Sequence, residues 1–112
     1  MENHLVGKIQ NLSRLRKILD RERHRGKKIV LTNGCFDLLH LGHLETLESA
    51  KRHGDILVVA LNSDASVRKL KGKGRPILPA RERALMLAAF SCVDYVTIFS
   101  DRRPYGVIRA LR

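Results

Sequence analysis

The chain has 112 residues, 44% hydrophobic and 29% charged, which indicates one globular domain with a modest core. No apolar run approaches the roughly 20 residues of a membrane span, and the N-terminus lacks a secretory signal, so we expect a cytoplasmic protein without membrane helices. The net charge of +11 favours an anionic partner such as a nucleotide, a sugar phosphate, nucleic acid or an acidic membrane surface.

The first predicted element is a basic helix over residues 11–25. Its apolar side chains recur at helical spacing, Asn11 can cap its start and Gly26 can end it. We assign residues 1–27 to this N-terminal basic helix and residues 28–112 to the domain that follows. Charge is concentrated in two basic blocks, residues 1–28 and 67–83, on either side of a mildly acidic segment.

Strand and helix signals then alternate to the end of the chain, which predicts an α/β fold with a parallel sheet and helices on both faces. Ligands of such sheets bind where the strands end, here near residues 33–43, 62–64 and 100–103. The predicted strands are 29–32, 56–61 and 95–99, and the later helices are 42–53, 64–70, 80–91 and 104–111.

The segment VLTNGCFDLLHLGHLETL leaves the first strand at Gly34 and enters a helix that carries His40 and His43. Gly34 would let the backbone approach a bound group, and Gly42 would keep the space between the imidazoles clear. Unpaired N–H groups and the dipole at a helix start attract phosphate, and imidazoles there can donate to its oxygens. The pattern predicts an anion clamp.

Two other kinds of chemistry fit part of this segment. His40 and His43 could share a zinc ion, but a third ligand at suitable spacing is not evident and Asp37 is the near carboxylate. Cys35 could act as a nucleophile beside His40, although a cysteine in the turn of a buried strand is more often a packing residue. We therefore predict no metal site and place the anion clamp first.

The string TNGCFDLLHLGH resembles the GxFDxxHxGH signature of the cytidylyltransferase-like nucleotidyltransferases. The longer segment 31–96 is similar to one branch, the D-glycero-β-D-manno-heptose 1-phosphate adenylyltransferases, through its NSD, LKG, RP, ERALML and VDYV strings. The resemblance implies a Rossmann-like sheet of the nucleotidyltransferase α/β phosphodiesterase type over 28–112. It also implies transfer of AMP from ATP to heptose 1-phosphate, giving the ADP-heptose used for lipopolysaccharide. A cytidylyltransferase acting with CTP on glycerol 3-phosphate is the alternative.

The resemblance also implies roles for single residues. His40 and His43 would contact the nucleotide phosphates and, with Lys71, carry catalysis. Asp37 would lie near the acceptor, Lys71 would reach phosphate groups, and Arg83 would lie on the nucleotide side. Mg²⁺ would be held mainly by the phosphates. The residues matching the rest of the nucleotide pocket are Asn33, Gly34, Cys35, Phe36 and Gly42.

Three further features fall at the predicted ligand edge. The loop 71–79, KGKGRPILP, could close over a triphosphate or be a solvated basic surface. Asn62 and Asp64 could bind sugar hydroxyls, although Ser63 or Asp64 could equally cap a helix. Arg81 and Arg83 fall in the first turn of a helix, which favours a nearby anion, with surface placement as the alternative.

The resembled family has a later signature similar to ISST…R, which these residues do not contain, so we expect a domain incomplete at its C-terminus and of low activity. Without a sugar-kinase half, a stand-alone transferase is expected, and a homodimer is left open. A nucleic-acid-binding module is disfavoured because only 4% of residues are aromatic and no helix-turn-helix or zinc-finger pattern occurs. A nucleotide-binding regulator without turnover is a further alternative.

Overall fold

The computed structural model describes residues 2–101 and 103–112, with side chains from His4 onward. Helices and strands alternate along most of this part of the chain, in the order that the sequence predicts. The elements are α1 (Glu2–Val6), α2 (Leu12–His24), β1 (Ile29–Gly34), α3 (Leu41–Lys51), β2 (Ile56–Asn62), α4 (Asp64–Lys71), α5 (Ala80–Ala88), β3 (Tyr95–Phe99) and α6 (Tyr105–Leu111).

The described strands form one parallel sheet in the order β1-β2-β3. At the carboxyl ends of the strands, Gly34 lies opposite Leu61, and Asn62 lies opposite Phe99. The three strands therefore end at one edge of the sheet, where parallel α/β proteins bind their ligands.

Side chains of β2 alternate between two cores, as expected for a central strand covered on both faces. Val59 points into a cluster with α3 and α5, and Val58 points into a cluster with α2 and α6. Both valines are fully buried. The predicted α/β architecture, a parallel sheet with helices on both faces, is confirmed.

Helix α2 forms as predicted and belongs to the second of these cores. The side chain of Asn11 caps it by accepting from the N–H of Arg14 at 2.8 Å. Leu15 and Leu19 are fully buried against the sheet, so the basic helix shares its core with the α/β domain.

The segment before α2 contains two features that the sequence does not predict. Helix α1 is one, and an isolated parallel bridge between Ile9 and Val96 is the other. The N–H of Gln10 donates to the carbonyl of Val96, and the N–H of Val96 donates to the carbonyl of Lys8. This segment thereby covers part of the outer edge of β3.

Most of the predicted elements have ends that differ by one to three residues from the observed ones, and two of these ends show why. Strand β1 extends to Gly34 because Asn33 and Gly34 continue the parallel ladder opposite Ala60 and Leu61. Helix α5 ends at Ala88, three residues early, where a tight turn leads the chain toward β3. Local patterns do not show either difference. The glycine after the apolar run of β1 suggests that the strand ends earlier, and the helical pattern of α5 continues beyond the residue where the helix ends.

Candidate active site

A cavity of about 560 Å³ lies at the carboxyl end of β1. This volume lies within the range usual for sites that bind small molecules. The predicted loop 71–79 begins one residue later in the structure, because Lys71 is the last residue of α4. This basic loop, residues 72–79, borders the cavity through Arg75, and α4 borders it through Lys71. Eight of the residues predicted for the site line it, namely Asn33, Gly34, Cys35, Phe36, Asp37, His40, His43 and Lys71.

The two histidines of the site start helix α3 as a reciprocal cap. His40 is the N-cap residue, and its Nδ1 accepts from the N–H of Gly42 at 3.0 Å. The N–H of His40 in turn donates to Nδ1 of His43 at 3.2 Å. This arrangement is a capping box in which imidazoles replace the usual Ser or Thr and Glu, and it explains the spacing of three between the histidines.

The cap also fixes which imidazole nitrogens can bind a ligand. Since Nδ1 of His40 and Nδ1 of His43 both accept from backbone N–H groups, these hydrogen bonds assign the neutral rings the tautomer with hydrogen on Nε2. Each ring therefore offers an Nε2–H donor at the cavity. The ring centroids are 4.0 Å apart, close enough for the two donors to hold one anionic group.

Gly42 is required by this cap. A Cβ at this position would lie 2.8 Å from Cε1 and 3.0 Å from Nδ1 of His40. The missing side chain of Gly42 therefore leaves room for the His40 ring, and its expected role of keeping the space between the two imidazoles clear stays a prediction. A Cβ at Gly34 would lie 2.8 Å from Cε2 of Phe36, so the missing side chain there makes room for the Phe36 ring.

Phe36 itself has an unusual backbone, with φ of +47°. This left-handed conformation is costly for a bulky residue and is found at sites where the surrounding structure enforces it. The Phe36 ring meets the ring of His43 edge-on at 5.5 Å. Burial lowers the pKa of His43 below its usual 6.5, and the charge of His40 acts in the same direction. His43 is therefore biased toward the neutral Nε2–H donor in the free protein.

Asp37 joins the loop that follows β1 to the basic loop. Its carboxylate accepts from the N–H groups of Ile77 and Leu78 and pairs with the Arg75 guanidinium at 2.9 Å. Burial alone would raise the pKa of Asp37, but these two backbone bonds and Arg75 together hold the pKa below its usual 3.8. The expected contact between Asp37 and the acceptor stays a prediction.

Arg83 is fully buried, so the alternative of surface placement is wrong for this residue. Its guanidinium donates to the carbonyl oxygens of Cys35 and Asn62, both at 2.8 Å, and to that of Leu78 at 2.9 Å. It also contacts the carboxylate of Asp64 at 2.6 Å. Arg83 thus connects the ends of β1 and β2 to the end of the basic loop, and it does not line the cavity.

The residues at the end of β2 are engaged within the protein. Asn62 is 3% exposed, and its amide donates to the hydroxyl of Ser66 at 3.2 Å. Ser63 is the N-cap residue of α4, accepting from the N–H of Ser66, as the capping alternative for that residue predicts. Neither Asn62 nor Asp64 lines the cavity, and their expected roles toward a sugar stay predictions.

Arg75 is the functional candidate that the sequence reasoning missed. It lines the cavity, as Lys71 does, so two cations and the imidazole pair share one cavity. Its position depends on Asp37, which is 38 residues away in the sequence. The only available signal was the basic loop itself, which does not distinguish one cation from another.

The described residues hold neither a metal-binding cluster nor a membrane-spanning helix. Among residues 2–101 and 103–112 no group of three His, Cys, Asp or Glu is arranged to hold a metal ion. Within the same residues, every helix is too short or too polar to cross a membrane.

Comparisons with known proteins identify the family of the chain. The cytidylyltransferase-like family model matches residues 31–111. The chain is 56% identical over 105 residues to the bifunctional protein HldE of Geobacter metallireducens and 55% identical over 98 residues to that of Helicobacter pylori strain G27. These matches cover 94% and 88% of the chain, which spans 21% of the length of each relative.

A solved structure shows the same fold. The crystal structure of the lipopolysaccharide core biosynthesis protein from Thermoplasma volcanium matches with a TM-score of 0.64 and 32% sequence identity. The match covers 75% of this chain and 68% of that one. With the paired histidines at the start of α3 and the family match over residues 31–111, the chain belongs to the cytidylyltransferase-like nucleotidyltransferases.

Proposed function

We propose that this chain carries the site that transfers AMP from ATP to D-glycero-β-D-manno-heptose 1-phosphate. An oxygen of the sugar 1-phosphate attacks the α-phosphorus of ATP. The bond from that phosphorus to the oxygen bridging to the β-phosphate breaks, and pyrophosphate leaves with the electron pair. ADP-heptose is the other product, and the protein supplies positioning and charge stabilisation rather than a nucleophile.

The observation that carries the proposal is that the paired imidazoles and two cations line one cavity. In this proposal the Nε2–H groups of His40 and His43 hold nucleotide phosphates, and Lys71 reaches the phosphate groups. Such donors gain strength as negative charge spreads over the transferring phosphoryl group. The end of β1 and the two residues after it, Asn33 to Phe36, line the cavity. In this proposal they contact the nucleotide.

Mg²⁺ accompanies the triphosphate in this proposal and is held mainly by its oxygens. The donor set of the cavity fits this arrangement, because Asp37 is its one lining carboxylate among the described residues and is engaged by Arg75. Bound Mg²⁺ would neutralise charge on the β- and γ-phosphates.

The choice of ATP and heptose 1-phosphate follows the high identity to the HldE proteins and the likeness to the heptose branch. A CTP-dependent cytidylyltransferase acting on glycerol 3-phosphate is the second candidate, because the matching family model is cytidylyltransferase-like. A cytoplasmic location is part of the proposal, since ATP and sugar phosphates are available there.

Pyrophosphate release separates these candidates. The chain is incubated with Mg²⁺ and either ATP or CTP, each with heptose 1-phosphate or glycerol 3-phosphate. We expect release with ATP and heptose 1-phosphate only. Release with CTP and glycerol 3-phosphate would replace the proposal by its alternative. No release in any arm, together with salt-sensitive oligonucleotide binding, would favour a nucleic-acid-binding module instead.

A further inference from the structure

The Asp37 carboxylate is the one acidic group that lines the cavity among the described residues, and several hydrogen bonds engage it. Only 10% of its side chain is exposed. Oδ1 accepts from the N–H of Ile77 at 2.8 Å and from that of Leu78 at 3.0 Å, while Oδ2 pairs with Arg75 at 2.9 Å. A carboxylate has about four lone-pair sites, so these partners occupy most of its capacity.

The partners of Asp37 all belong to the basic loop. Residues 72–75 of this loop are exposed, and Gly72 and Gly74 have φ of +92° and +86°, a backbone that few other residues adopt. The loop therefore has little packing of its own to hold it. Its second attachment is the bond from Arg83 to the carbonyl of Leu78.

We infer that Asp37 is a positioning residue that latches the basic loop to the loop following β1 and thereby places Lys71 and Arg75 at the cavity. The inference rests on one part of the proposed function, namely that the cavity binds phosphate groups. The competing role for Asp37 is direct contact with the acceptor.

Electrostatic interactions favour the latch. A bare carboxylate beside a triphosphate would repel it, whereas Asp37 paired with Arg75 adds no net negative charge. The bonds that hold the pKa of Asp37 below its usual value keep it ionised, and so able to hold Arg75, at neutral pH. Arg75 remains 45% exposed in this pair, so it can contact a phosphate while Asp37 holds it.

Limited proteolysis tests the latch without using activity. Trypsin cleaves after lysine, and Lys71 and Lys73 provide sites at and within the loop. In Asp37→Asn we expect cleavage there to be about tenfold faster, corresponding to the loss of about one charge-assisted hydrogen bond that closes the loop. Asp20→Asn, on the exposed side of α2, is the matched control and should cleave at the wild-type rate.

A second variant keeps the test decisive if Asp37→Asn folds poorly. Arg75→Gln removes the other partner of the ion pair at a half-exposed position, and it should accelerate cleavage after Lys73 by a smaller factor. Unchanged cleavage in both variants would overturn the latch. Acceleration would support it even if no pyrophosphate release is ever detected, so the latch and the proposed function can fail separately.

Steady-state kinetics distinguish the latch from acceptor binding. A latch predicts that Asp37→Asn raises KM for ATP about tenfold, with a smaller change in kcat, because it weakens the placing of Lys71 and Arg75. The double variant Asp37→Asn with Arg75→Gln should be little worse than the worse single one, since both break one contact. A rise confined to KM for the acceptor, with additive effects, would overturn the inference.

Discussion

The β1–α3 junction and the β2–α4 junction lie side by side at the carboxyl edge of the sheet, and they satisfy their helix starts differently. Ser63 caps α4 with a hydroxyl that accepts from the N–H of Ser66 and donates to the hydroxyl of Ser66, so both contacts are within the protein. His40 caps α3 with Nδ1 and leaves Nε2 as a donor at the cavity. A cap built from imidazole can stabilise a helix and bind a ligand at once, whereas the serine cap only stabilises.

The largest expected effect comes from the residue that joins the two junctions. Arg83→Met removes the donor shared by the carbonyls of Cys35, Asn62 and Leu78, and it should lower the free energy of unfolding by about 3 kcal/mol. Urea unfolding followed by circular dichroism measures this loss.

The matched variant for Arg83→Met is Asp64→Asn, which keeps the guanidinium and removes only a partly exposed charge. It should cost about 1 kcal/mol or less. Equal losses in the two variants would show that the ion pair, rather than the three carbonyl contacts, holds the junctions together.

The next largest effect is a difference in turnover between variants of the α3 cap and of the α4 cap. His43→Ala removes one Nε2–H donor and should lower turnover about 10²-fold in the pyrophosphate-release assay. Ser63→Ala removes the cap of the neighbouring junction and should change turnover less than about twofold while costing about 1 kcal/mol of stability. Near-normal turnover in His43→Ala would remove this histidine from the mechanism.

The smallest effect is a pH dependence confined to the β1–α3 junction. Because the pKa of His43 is lowered from 6.5 in the folded protein, the unfolded chain takes up a proton there before the folded chain does. The contribution of His43 to stability is therefore fully present above pH 6.5 and is lost as pH falls through the folded-state pKa. Unfolding measured from about pH 8 to about pH 5 should show a shallower decline in His43→Gln than in the wild type, and parallel declines would contradict the assignment.

Local signals predicted most of the fold. The apolar strands, the Asn11 cap and the alternation that buries Val58 and Val59 on opposite faces all follow from short-range patterns. The bridge between Ile9 and Val96 was missed because its two partners lie near opposite ends of the chain and the pairing has no local signature.

The site likewise contains residues that local sequence predicts and residues whose positions depend on distant parts of the chain. The pairing of His40 and His43 at a helix start could be predicted because its geometry is set within one helical turn. Their binding of an anion stays a prediction. Arg83 and Arg75 could not be placed, since their partners at Cys35, Asn62 and Asp37 are distant in sequence. A basic residue has the same local signal whether it is buried on carbonyls, paired with a carboxylate or free to bind phosphate.

The proposed use of each imidazole, with Nδ1 for the helix cap and Nε2 for the ligand, limits how this protein can evolve. Serine at position 40 and glutamate at position 43 would begin the helix as well as the histidines do, since they form the ordinary capping box. A lineage that no longer needed the ligand could make this exchange without losing its fold. Retention of both imidazoles in a descendant would therefore report continued selection for binding, independently of how stable the protein is.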